Sequence, residues 1–279
     1  MCIRDRPVSA RAGSPLPGKV PALSWTIASL VLVVLLPLSA LLAKATERSA
    51  AELLAIVLSP RVRAACFLSV FASLAAAALN LGFGSVVAWV LVRYRFFGRE
   101  LLDAAIDLPF ALPTAVAGIA LTTVYAETGW LGAPLSALGI RVAFTPLGVI
   151  LALTFVGFPF VVRTLQPVLV ELDRDMEEAA ATLGASRRQI IQRVVVPALT
   201  PAALTGFTLA FARGLGEYGS VVFISGNLPF RTEIAPLLIM NELEQFDYPA
   251  AAAIGGVLVL ISLLLLVAQA RLAVRRAPR

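Results

Sequence analysis

The sequence predicts an all-α integral membrane protein with six transmembrane helices and both termini in the cytoplasm. Three observations carry that prediction. Of the 279 residues, 59% are hydrophobic and 14% charged, with a mean hydropathy of +0.89, a larger apolar share than a soluble domain of this length buries. Six apolar runs each reach the ~20 residues that cross a hydrocarbon core. With the N-terminus inside, 16 of the 23 Lys and Arg residues fall in inner segments and 6 in outer ones, leaving Arg213 within a span. The same asymmetry accounts for the net charge of +6 without a nucleic-acid partner. The chain contains no His, and its two cysteines, Cys2 and Cys66, lie far apart. It therefore offers no disulfide framework, metal site or catalytic residue.

Residues 1–21 are polar, rich in Arg, Ser and Pro, and read as a disordered cytoplasmic tail. Within them Gly13-x4-Gly18-Lys19 matches a phosphate-binding loop except that Val20 stands where Ser or Thr is required. Pro15, Pro17 and Pro21 deny the strand and helix such a loop needs, so no cofactor is expected to bind this chain. The first transmembrane helix is expected at 22–43, uncharged, with Trp25 near one interface and Pro37 inside. A transmembrane domain at 64–270 then holds spans at about 64–92, 106–126, 142–163, 195–224 and 248–270. Residues 271–279 form a basic cytoplasmic tail. The third span opens Asp107-Leu-Pro109-Phe-Ala-Leu-Pro113. Asp107 suits a helix N-terminus and Pro109 a first turn, while Pro113 should bend the helix. The bend fits a pore-lining helix and a merely packed one equally well.

Between the fourth and fifth spans the charged stretch 164–194 must lie in water. It reads as two short helices meeting at a turn. Asp175 and Glu178 have capping-box spacing, and Met176, Ala179, Ala180 and Leu183 share one face. Gly184 suits the left-handed residue that ends the first helix. Ser186 and Gln189 repeat the box for a second helix that continues through Pro197 into the fifth span. A small Ala179-Ala180 face beside a glycine turn lets another backbone approach closely, which suits a peg seated in a partner's groove.

The fifth span carries Ala212-Arg213-Gly-Leu-Gly-Glu217-Tyr218-Gly-Ser. Counting from Pro197 at the inner face, Arg213 lies roughly 24 Å deep at 1.5 Å per residue. A charge at that depth costs about 3 kcal/mol on insertion scales, so it must face protein or water. Arg213 and Glu217 are spaced to pair on one helix face, and Gly214, Gly216 and Gly219 allow a close neighbour. The pair either locks helices together or, with Tyr218, lines a path for an anion. Beyond it Gly226-Asn227-Leu228-Pro229 signals a turn, and Thr232 is placed to cap a short external helix from Glu233 to about Glu242. That segment fits partner docking or a plain connection.

Glu178-Ala179-Ala180, three residues, Gly184, nine residues, then Val194-x-Val196-Pro197 resembles the EAA loop of ABC-importer permeases, with Val194 and Val196 where Ile and Leu are usual. The stretch from Ala212 to Leu238, together with Asp107 to Leu121, resembles the T-type (CysT) permease subunits of bacterial sulfate/thiosulfate importers. Molybdate and tungstate permeases share the Leu-Gly-Glu-aromatic-Gly core but diverge after it. The resemblance extends from about Arg63 to the end of the chain.

It implies the type I ABC importer permease fold in a multi-pass protein of the bacterial cytoplasmic (inner) membrane. The implied partners are a W-type permease, two copies of a cytoplasmic ATPase subunit that uses the ATP, a periplasmic sulfate/thiosulfate-binding protein and the lipid bilayer. Glu178, Ala179, Ala180, Leu183, Gly184 and Pro197 would then dock the ATPase. The expected function is the permease step of sulfate/thiosulfate import, in a chain that is itself no enzyme. The alternatives are a molybdate/tungstate permease and an ATP-independent anion channel or carrier, which would leave the Glu178 loop without a purpose. A membrane enzyme is disfavoured by the absence of His and of clustered ligands.

Overall fold

The computed structural model describes residues 19–276. Most of the tail expected at 1–21, including Gly13 of the phosphate-loop-like stretch, lies outside the described residues, as does Cys2. All regular structure among them is helical. In chain order the helices are α1 (Val20–Ala45), α2 (Ala50–Val57), α3 (Pro60–Arg93), α4 (Arg99–Ile106), α5 (Leu108–Ala111), α6 (Thr114–Tyr125) and α7 (Gly132–Ala137). They continue with α8 (Pro146–Glu171), α9 (Arg174–Thr182), α10 (Arg187–Leu215), α11 (Gly219–Ser225), α12 (Ala235–Glu244) and α13 (Tyr248–Arg276). α13 thus continues into the segment expected as a tail from 271.

The core is a bundle of α3, α8 and α10. Its buried side chains are mostly Ala, Val and Leu, with Ala77, Ala88, Leu91, Val161, Val162, Leu165, Ala210, Phe211 and Leu215 in one cluster. Small residues set the spacing. A Cβ on Gly157 would lie 2.5 Å from the Asn80 amide nitrogen, and one on Gly206 would lie 2.3 Å from the Thr164 hydroxyl. In a bilayer, where apolar burial gives little drive for helices to associate, such close approach is the main source of cohesion.

Among the described residues, five helices are long and apolar enough to cross a membrane: α1, α3, α8, α10 and the part of α13 from Tyr248 to Ala268. The expected third span at 106–126 is broken instead. Pro113, with no N–H to donate, follows an extended Leu112, so α5 ends and the 12-residue α6 begins afresh. α6 packs against α11, where a Cβ on Gly118 would sit 2.5 Å from the Ser220 carbonyl oxygen. The expected fifth span differs as well. α10 begins at Arg187, passes through Pro197 and Pro201, and stops at Leu215, leaving the separate α11 beyond Gly216-Glu217-Tyr218. A five-residue segment of wider π geometry, Ile191–Val195, precedes Pro197.

The segment expected at the external face is α12, Ala235–Glu244, rather than a helix beginning at Glu233. Thr232 does not cap it; the hydroxyl accepts from the Leu228 N–H at 3.0 Å and donates to the Ser225 carbonyl at 2.7 Å, closing the turn that precedes it. The first helical N–H, of Ala235, donates to Ser69 on α3 at 2.7 Å, and Ala235, Leu237 and Leu238 are buried. The segment therefore folds back into the bundle.

Candidate functional site

Polar constellations interrupt the apolar bundle in the loop between α8 and α10, at the place where Arg163 meets Asp103 and Asp107, and at the break between α10 and α11. In the loop, α9 is capped by Asp173, not Asp175: the Asp173 carboxylate accepts from the Asp175 N–H at 3.0 Å. Asp173 takes the extended backbone a cap requires, whereas Asp175 and Glu177 lie in the first turn, where the helix dipole favours acids. Glu178 is exposed one position later.

α9 ends as the sequence predicts at this point. Gly184 has φ +85°, its N–H donates to Ala181 at 2.9 Å, and the Ala185 N–H reaches back to Ala180 at 3.0 Å. That pattern closes the helix with a left-handed residue. The Ser186–Gln189 capping box forms in both directions and starts α10. Between the two caps the apolar face is left uncovered, with Met176 51% and Leu183 88% exposed. Ala179 is exposed beside them, Ala180 is half-buried, and Pro197 lies nearly three turns into α10. An ion pair from Arg93 to Glu177 ties α9 to the inner end of α3, and the Arg93 guanidinium sits over the Trp89 ring, 5.3 Å from its centroid.

At the inner rim, Arg163 on α8 grips Asp107 with two hydrogen bonds, Nε to Oδ1 at 2.9 Å and Nη2 to Oδ2 at 2.6 Å. It also bonds Asp103 at 2.7 Å and Gln166 at 2.6 Å, while the Gln166 amide donates to Asp103 at 2.9 Å. The Gln166 amide and then the Arg163 guanidinium hold the Asp103 carboxyl below its ordinary range. This cluster fastens the broken third segment to α8. The sequence reading missed it, though Asp103 and Asp107 one turn apart before a span, with Arg163 at the end of the next, are its signal.

At membrane depth Arg213 and Glu217 do pair, Nη1 to Oε2 at 2.5 Å. They do so across a break and not along one helix face. Glu217 is 1% exposed, and its other oxygen accepts from the Ser220 N–H at 2.9 Å and the Ser220 hydroxyl at 3.0 Å. One carboxylate thus closes both sides of the gap between α10 and α11. Gly214 and Gly219 lie against Ser73 and Thr114, as close packing requires, but Gly216 opens outward with no neighbour. Tyr218 is exposed beside it.

A fourth pair was also missed. Glu233, buried under α12, takes a two-pronged grip from Arg61 at 2.9 and 2.7 Å and a third bond from Asn241 at 2.9 Å. Counting Arg61 only as an outer charge hid it.

This architecture matches known transporters. Residues 80–277 fit the family described as binding-protein-dependent transport system inner membrane component. The chain belongs to that family. Among curated relatives it is 54% identical to the "Probable sulfate transport system permease protein cysT" of Nephroselmis olivacea, over 88% of this chain and 87% of that one. It is 48% identical to the "Sulfate transport system permease protein CysT" of Salmonella typhimurium, over 90% and 91% respectively.

Among solved structures, the bacterial alginate ABC transporter in complex with an alginate pentasaccharide-bound periplasmic protein has a chain that superposes with a TM-score of 0.75. It shares 17% identity and covers 92% of this chain and 93% of that one. The MetNI methionine ABC transporter gives 0.56 at 15% identity, covering 79% and 100%. The fold is that of a type I ABC importer permease. As an inner membrane component of such a system, the chain is a multi-pass transport subunit that works with an ATPase and a substrate-binding protein.

Proposed function

We propose that this inner membrane component is the T-type permease subunit of an ATP-driven sulfate/thiosulfate importer. The observation that carries the reading is its identity of 47–54% to CysT sulfate permeases, over nearly the whole of each chain. The partners would be a W-type permease, two copies of the ATPase subunit and a periplasmic sulfate/thiosulfate-binding protein. ATP would bind the ATPase only.

Coupling would run through α9. Its uncovered ridge of Met176, Ala179 and Leu183, bounded by the Gly184 turn, is supported as a docking surface by its exposure in a segment the charge pattern puts in the cytoplasm. Glu178 and Ala180 flank the ridge, and Pro197 lies on the helix that leads from it into the membrane. Closure of the ATPase pair would push α9, and α10, continuous from Arg187 to Leu215, would carry the displacement to the break at Glu217.

The test is uptake of labelled sulfate in cells lacking their own T-type subunit but retaining the partners, with this chain supplied and molybdate as competitor. Uptake that requires ATP and the binding protein and resists molybdate is expected. Uptake abolished by molybdate, or none from an assembled complex, overturns the substrate assignment.

A further inference from the structure

We infer that the break between α10 and α11 is a transient oxyanion contact on the transport path, in which Arg213 meets the anion and Glu217 positions it. The inference rests on the sulfate reading above and assigns the two residues different tasks. Glu217 is 1% exposed, and its oxygens are occupied by Ser220 and by one guanidinium nitrogen of Arg213. It presents no free acceptor to an approaching anion.

Arg213 is different. Its side chain is 37% exposed, the ion pair uses Nη1, and Nε and Nη2 are neither buried nor partnered among the described residues. These donors belong to a planar fork that matches two oxygens of a tetrahedral anion.

The uncovered side of that fork needs a polar surrounding. Lipid contact is excluded by the cost of a guanidinium at this depth, so the uncovered side must face protein or water. A Cβ on Gly216 would meet nothing within 4 Å, and Tyr218 is 38% exposed, so the backbone between the two helices is itself open. Irregular backbone at membrane depth persists only where it is buried in protein or lines a water-filled cavity. Here part of it is uncovered.

The pairing with Glu217 also sets the strength of the contact. A lone guanidinium in a low dielectric would hold a dianion too long for passage, and conduction needs a site weak enough to leave. A neutralised Arg213 with spare donors meets both demands.

The experiment uses the complete complex in proteoliposomes, reading sulfate imported per ATP hydrolysed in the presence of loaded binding protein. The wild-type complex tests the sulfate reading by itself: hydrolysis with no sulfate import would fail that reading before any variant is considered. Given wild-type import, Arg213→Gln should lower sulfate per ATP by about tenfold or more, with hydrolysis still stimulated.

The double variant Arg213→Gln/Glu217→Gln, which removes both charges, should be equally poor. Arg213→Lys, which keeps the charge and the pair but loses the fork, should fall between and carries the test where the glutamine variants do not assemble. Wild-type sulfate per ATP in Arg213→Gln or Arg213→Lys overturns the assignment. So does recovery in the double variant, which would make the pair a structural lock.

Discussion

Two helix breaks of the molecule, one in water at Gly184 and one at membrane depth at Glu217, solve the same problem by different means. In the exposed loop the loose backbone ends are tied by neutral or local devices: a left-handed glycine, a Ser186–Gln189 box and an Asp173 cap. Water takes whatever remains. In the membrane no such reserve exists, and a single buried carboxylate accepts from the Ser220 N–H that opens α11 and pairs with the Arg213 side chain near the end of α10. The difference teaches where each break is vulnerable. The aqueous one tolerates damage to any one cap but depends on a surface left open; the membrane one depends on one residue.

Breaking the membrane side should therefore have the largest effect. Glu217→Ala leaves the Ser220 N–H and the Arg213 guanidinium without their partner, and removal of one member of a buried pair costs about 3–5 kcal/mol. Thermal unfolding of the purified complex should show a correspondingly lower melting temperature, and an unchanged one would mean the break is held by something else.

Gly184→Val comes next, with about 1–2 kcal/mol of strain because φ is +85°. A Cβ there meets nothing within 4 Å, so the chain should still insert and fold. Stimulation of the ATPase by loaded binding protein should nevertheless be lost; normal stimulation would remove Gly184 from the docking surface.

Ser186→Ala should be milder, about 1 kcal/mol, since one cap of several is deleted. Amide exchange should quicken at 187–190 and stay unchanged at the α9 end, which would show that the two aqueous caps act separately.

The smallest effect concerns the inner rim. Asp103 is held below its ordinary range by Gln166 and Arg163, so its contribution is present above the unfolded value, near pH 3.9, and is lost as pH falls through the lower folded value. Asp103→Asn should flatten the acid limb of stability below about pH 4 and leave neutral pH almost unchanged, because the group is partly exposed and screened.

The same contrast explains what the sequence could reveal. Caps in water are written locally, within four residues, so the Gly184 turn and the Ser186 box were legible down to their hydrogen bonds. The Asp173 cap was misplaced by two positions because two aspartates, Asp173 and Asp175, compete for it and spacing alone favours Asp175. Apolar runs gave the spans, but a run of the right length hides a break. Pro113 signalled a bend without fixing that α5 and α6 would separate, and Glu217 sat in a window whose hydropathy reads as one helix. The pairs Arg163–Asp107 and Arg61–Glu233 join residues 56 and 172 positions apart, and no local rule reaches so far.

α1 is the outermost helix, with no buried residue in its apolar window, and α13 is its principal neighbour, Leu41 lying 3.7 Å from where a Cβ of Gly255 would stand. Among the described helices α1 therefore meets its mate only after all the others are made. Until then it must wait alone in lipid. A helix with no charge from Val20 to Ala43 can do so at no cost, whereas α10, which carries Arg213, would be poorly suited to that position. The order of the chain thus matches the order in which its helices can stand unaccompanied.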